Sequence, residues 1–276
     1  MKDARWLRIV YYVFMFVFGA FFAKSNFEYS ANDVANLTLF LKIIVVIIAI
    51  FLAWIFSLII NNITDQDIDK ISNQERPLIK KTIDLLDYYK ICAVAGVLAL
   101  MYSFAVDLAA FYSIILFMGV YFLYSAPPFR FKRLFFVSKM AVSINSLVIF
   151  MLGWAQVGGY LSNFPKAIAV YFIIFITAIM NFIDIKDYEG DKANNIKTLP
   201  VVLGIKKSKF LIGCFFVLAY YKMPTTFNLH SGFTNLFLLL GVLQFIFINR
   251  KKYSEIPILL TGFLSILFLV IGVVFY

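Results

Sequence analysis

Of the 15 Asp and Glu residues in the chain, eight lie in two short segments: Asp65, Asp67, Asp69 and Glu75 in the first, and Asp184, Asp187, Glu189 and Asp191 in the second. The first segment runs Asn61, Asn62, Ile63, Thr64, Asp65, Gln66, Asp67, Ile68, Asp69 and closes on Arg76 and Pro77. On a helix, residues four apart are neighbours on one face, so a helix continued through this segment stacks Asn61, Asp65 and Asp69 as an amide and two carboxylates. Like charges at that spacing repel each other and destabilise a bare helix, so the arrangement calls for a cation. In the second segment Asp184, Asp187 and Asp191 are spaced three and four apart, again on one helical face, and Gly190 is expected to loosen the helix end. Hard oxygen donors without histidine or thiolate select Mg2+ or a relative, an ion that keeps some water and takes phosphate oxygens at its remaining positions. For one such cluster, solvated loop acids balancing nearby lysines are an equally good reading. Two matched clusters in a chain so poor in acids elsewhere favour a site.

The elements that must carry these acids are set by composition. Of the 276 residues 63% are hydrophobic and 14% charged, with a mean hydropathy of +0.90. A water-soluble domain carries roughly 25% charged residues and cannot hide this much apolar surface. Nine apolar stretches, over 6–23, 39–60, 91–106, 108–125, 138–160, 165–183, 209–223, 233–249 and 257–276, approach the roughly 20 residues a helix needs to cross a bilayer. Runs such as Ile43 to Ile48 do not alternate, which makes helices a better reading than the strands of a membrane barrel. The expected fold is therefore an all-α polytopic membrane protein of about nine transmembrane helices, forming a single domain over 1–276. The first segment, which follows Lys2, Arg5 and Arg8, is expected to be a retained helix, because no small-residue cleavage site follows it.

Orientation follows from the basic residues. The N-terminus and the loops after the second, fourth, sixth and eighth segments carry 21 of the 25 Lys and Arg residues. That side is expected to be cytoplasmic, in a multi-pass protein of the cell membrane, and both acidic segments fall on it. The net charge of +10 is thus mainly a topology signal. It can also hold anionic membrane lipids or a diphosphate near the working face, and no nucleic-acid partner is needed to explain it. Cys92 and Cys214 sit inside apolar segments as packing residues, and the lone His230 has no second ligand with which to form a transition-metal site.

Taken together, these residues resemble the UbiA superfamily of intramembrane prenyltransferases. Asn61, Asp65, Asp69, Arg76 and Pro77 fall in register with that family's first aspartate motif. Asp184, Asp187 and Asp191, with Thr198, Leu199, Pro200 and Gly204 downstream, resemble its second. Tyr124 to Arg133 resembles the tyrosine and lysine motif after the fourth helix, so the likeness spans roughly residues 50 to 210. The resemblance implies helices around a central cavity, cap-like cytoplasmic loops after helices two and six, and Mg2+ holding a prenyl diphosphate donor between the two aspartate motifs. By position, Asp65 and Asp69 would bind one Mg2+, and Asp187 and Asp191 the other, with Asp184 as ligand or support. Asn61 would assist at metal or phosphate, Arg76, Lys132 and Lys192 would neutralise diphosphate oxygens, and Tyr124 would bond the diphosphate or shield the allylic cation. Two positions depart from the pattern: Asn62 stands where many members have Asp, and Arg8 is followed by Ile9 rather than proline.

The chemistry implied is departure of diphosphate from an allylic carbon, followed by capture of the cation by a nucleophilic carbon or oxygen. It needs stabilised oxygens and exclusion of water, not a covalent nucleophile. The 33 Phe and 16 Tyr residues supply π faces for such a cation, although most serve packing and lipid contact. The wording around Tyr124 and Asp187 leaves two acceptors open. A small aromatic or quinone precursor is favoured over a lipid acceptor, geranylgeranylglyceryl phosphate in ether-lipid synthesis. A divalent-cation transporter is the rival of another class, and it would carry polar residues through the bilayer midplane, where this chain offers only a few such as Asn145 and Gln156.

Overall fold

The computed structural model describes residues 5–26, 33–66, 69–70 and 74–275, and every regular element among them is helical. Each apolar stretch becomes a helix: α1 (Arg5–Asn26), α2 (Asp33–Thr64), α3 (Leu85–Val106), α4 (Leu108–Ser125), α5 (Phe135–Gln156), α6 (Lys166–Ala193), α7 (Ile205–Thr226), α8 (Phe233–Asn249) and α9 (Glu255–Phe275). Helices α2 to α6 and α9 are long and apolar enough to cross a membrane, and α1 and α8 contain shorter apolar runs. Large side chains such as Met101, Phe104 and Leu260 stand more than 60% exposed, which water would not tolerate in such number and lipid does. The chain is an integral membrane protein. Helix ends differ from the hydropathy limits because backbone hydrogen bonding outlasts the apolar run: α3 begins at Leu85, and α6 continues ten residues past Ile183.

Helix α6 is continuous but not regular. It is α-helical over Lys166–Tyr171, π-helical over Phe172–Ile176, α-helical over Thr177–Ile179, 3-10 over Met180–Ile183, and α-helical again over Asp184–Ala193. Such departures from the regular ladder occur frequently at functional sites.

The chain divides into two compact units, Met1–Phe131 with Asn145–Phe164, and Lys132–Ile144 with Pro165–Tyr276, so α5 contributes to both. Within the first, α2 packs along α3 and α4. Helices α1 and α5 meet through glycine: a Cβ on Gly153 would lie 1.9 Å from the Phe16 carbonyl oxygen, and one on Gly19 2.0 Å from that of Phe150. Around this crossing Phe18, Phe22, Phe150, Trp154 and Phe164 pack ring against ring. Asp107 caps α4, accepting from the Ala110 amide at 2.7 Å, and its second oxygen accepts from Gln156 at 2.9 Å. Within the second unit, α7 packs on α8, and buried Gln244 donates to the Ile258 carbonyl (2.9 Å) and the Tyr220 hydroxyl (3.3 Å), tying α7, α8 and α9.

Candidate active site

The first acidic segment lies in the first unit. Asp65 N donates to Asn61 O (3.0 Å) and Asp69 N to Asp65 O (2.8 Å), which carries helical geometry beyond Thr64 and puts Asn61, Asp65 and Asp69 in one row, as the spacing predicts. Asp65 and Asp69 are buried, and Asp69 forms an ion pair with Arg76. Arg76 is held by a turn in which the amides of Ile79 and Lys80 donate to its carbonyl, both at 2.9 Å. Asp67 and most of the loop up to Asn73 lie outside the described residues.

The stretch after α4 folds onto this row. Ser125 donates to the Asn61 side-chain oxygen at 3.2 Å, and Arg130, at a φ of 42°, donates to the Thr64 carbonyl that ends α2. Tyr124 is half-buried and meets Tyr121 edge to face with ring centroids 6.2 Å apart. The Tyr121 hydroxyl bonds that of Tyr12, and Arg8 lies within electrostatic reach of both phenols. Asn62 faces away from the row. It is buried, and its amide donates to the Tyr88 hydroxyl at 2.9 Å beside Ile59 and Cys92, so this departure from the aspartate pattern serves the contact of α2 with α3.

The second acidic segment lies in the second unit. The helix runs through Gly190 instead of loosening there, because the Gly190 carbonyl accepts from both the amide (3.1 Å) and the side chain (2.9 Å) of Asn194. Asp184 is buried, Asp191 half-buried and Asp187 exposed, and Asp184 and Asp187 both bear electrostatically on Asp191. Asp184 accepts from Lys139 on α5. Lys132 is half-buried in the 3-10 turn Phe131–Arg133, and the exposed Lys192 sits 5.7 Å from the Tyr188 ring centre. Tyr253, between α8 and α9, donates its hydroxyl at 2.6 Å to the Phe182 carbonyl, and Glu255 meets Lys186 at 3.6 Å. Burial, and then the negative charges of Glu255, Asp184 and Asp187, push the Tyr253 phenol up, so it remains a donor. Downstream, Thr198 and Pro200 open a short helix, Leu199–Leu203, and Gly204 closes it at φ 80°, a left-handed conformation that needs glycine.

Ser125, Arg130, Lys139 and Tyr253 are additions to the residues singled out from sequence. Ser125 and Arg130 fall within the stretch Tyr124 to Arg133 but had no role of their own there, and Lys139 carried a signal of another kind: a lysine inside the apolar stretch 138–160 needs a partner. Among the described residues no three Asp, Glu, His or Cys side chains gather closely enough to hold a metal by themselves. Two carboxylates from a segment, completed by phosphate oxygens and water, fit the preferred shell of Mg2+, and the wholly oxygen donor set fits no softer ion.

These observations define a helical membrane protein with two acidic segments set at helix ends. Residues 12–267 match the UbiA prenyltransferase family, and the chain belongs to that family. It is 29% identical to digeranylgeranylglyceryl phosphate synthase of Pyrococcus horikoshii over 180 residues, 63% of this chain and 61% of that protein. It is 27% identical to homogentisate phytyltransferase of Synechocystis sp. over 206 residues, 67% of this chain and 66% of that protein. The chain thus spans about three fifths to two thirds of the length of these curated relatives. In fold it superimposes on a UbiA homolog from Archaeoglobus fulgidus bound to GPP and Mg2+ with a TM-score of 0.73, over 99% of each chain at 20% identity.

Proposed function

We propose that this protein transfers a polyprenyl group from an allylic prenyl diphosphate to an acceptor at the membrane, with Mg2+, releasing diphosphate. The observation that carries this reading is the row Asn61, Asp65 and Asp69 at the end of α2, with both carboxylates buried, in a chain of this family. The Archaeoglobus homolog of the same fold holds GPP and Mg2+, which supports the choice of donor and ion. In this reading Asp65 and Asp69 hold one Mg2+, and Asp187 and Asp191 a second. Bound Mg2+ supplies charge neutralisation and Lewis acidity at the departing oxygens. Asn61 orients at metal or phosphate, and Arg76, Lys132 and Lys192 neutralise diphosphate. Tyr124 presents a hydroxyl to the diphosphate or a ring face to the allylic cation.

For the acceptor the relatives favour the glycerolipid over the aromatic compound that sequence wording suggests. The Pyrococcus protein is a digeranylgeranylglyceryl phosphate synthase, and further relatives of that name reach 30% identity. We therefore infer a geranylgeranylglyceryl phosphate acceptor. The homogentisate phytyltransferase keeps an aromatic acceptor as the second reading. Purified protein incubated with labelled geranylgeranyl diphosphate, Mg2+ and both acceptor types is expected to give a doubly prenylated glyceryl phosphate. Product on homogentisate alone would select the second reading, and no Mg2+-dependent diphosphate release with either would remove the enzyme assignment.

A further inference from the structure

Lys139 has no role in the reading above. It stands in the second turn of α5 with 9% of its surface exposed, on a segment apolar enough to cross the membrane. A cation so near a helix N-terminus opposes the helix dipole, and a buried ammonium is costly unless an anion meets it. Asp184 supplies the anion: one of its oxygens accepts from Lys139 Nζ, and the residue is only 6% exposed. Its other oxygen is buried and has no hydrogen-bond partner among the described residues. Lys139 also acts electrostatically on Asp191, two turns further along α6.

We propose that Lys139 is a built-in counter-charge of the second acidic segment, pairing Asp184 and leaving Asp187 and Asp191 as the carboxylates that take the divalent ion. Asp184 is then a positioning residue, and the segment presents two uncompensated negative charges instead of three. The ammonium limits how strongly the empty segment attracts cations, so that tight binding awaits the diphosphate, which brings negative charge of its own. This inference rests on the prenyltransferase reading for the identity of the ion.

The test is Mn2+ affinity, read by electron paramagnetic resonance at pH 8 on purified protein without donor. An Asp65→Asn background leaves the second segment as the remaining site. Lys139→Met is expected to tighten Mn2+ binding about tenfold, and Asp184→Asn to weaken it similarly, as one unit of charge beside a divalent ion requires. The double variant is expected to return near the starting affinity, and Lys139→Arg to stay within about twofold of it. Were Lys139 merely structural, Lys139→Met would weaken binding or leave it unchanged, and were Asp184 a ligand, the double variant would stay weak. Either result overturns the proposal. If Lys139→Met does not fold, Lys139→Gln takes its place alone and in the double variant, with unchanged or weaker binding of the single variant as the contrary result. Failure of the underlying reading looks different: the parent protein would bind no Mn2+ at all, and the counter-charge would fall with it.

Discussion

At the residue scale, Asp65 and Asp187 have the same proposed task in opposite settings, one buried in a helical row and the other exposed on α6. Asp65→Ala and Asp187→Ala are each expected to abolish prenyl transfer while expression and melting temperature stay close to those of the parent. Near-normal turnover in either variant would remove its carboxylate from the metal assignment. Asn62 calls for the opposite pattern. Replacing it by Leu deletes the bond to Tyr88 and leaves a buried hydroxyl without that partner, at a cost of about 1 to 3 kcal/mol. The melting temperature should fall and the KM for acceptor should hold, whereas a shifted KM at unchanged stability would place Asn62 at the acceptor. The row of Asn61, Asp65 and Asp69 was legible in the sequence because four-residue spacing is a local property of the helix. Ser125, Arg130 and Lys139 were not assigned there, because their partners lie 64, 66 and 45 residues away and only folding shows which donors arrive.

At the scale of elements, apolar runs disclosed where helices lie, since backbone groups in lipid must bond within their own segment. They said nothing about how closely two helices approach, because glycine contributes little to hydropathy while deciding distance. Helices α1 and α5 cross with Gly19 and Gly153 against opposing carbonyl oxygens, and an added methyl at either point must move backbone. Gly153→Ala is expected to destabilise the protein by about 1 to 3 kcal/mol, visible as a lower melting temperature in detergent. Gly119→Ala on α4 is the control, because a Cβ there meets nothing within 4 Å and alanine favours a helix. Equal effects of the two would mean that the crossing is looser than its geometry. The sequence also placed the end of α6 at Ile183, where apolar residues stop, and expected Gly190 to loosen the helix. A side-chain cap from Asn194 holds that last turn instead, and hydropathy does not register such a bond.

For the molecule as a whole, 21 of 25 basic residues on one set of loops predict the side on which the acidic segments work. With Cys92 and Cys214 replaced by Ala, a cysteine at Lys81 should react with a membrane-impermeant maleimide only from the cytoplasm, and one at Ser162 only from outside. The reverse pattern would invert the topology. Hydropathy made the membrane setting plain, yet it is indifferent to how many residues each turn of α6 contains. Between Phe172 and Ile183 that helix first widens and then tightens, and each residue gained or lost along a helix turns everything beyond it by about 100°. Removing one isoleucine from the run 173–176 would leave an equally greasy segment, still able to span lipid, with its aspartates aimed at a different neighbour. Along this stretch the count of residues should therefore matter more than their kind, and relatives are expected to exchange one apolar side chain for another freely while holding the number fixed.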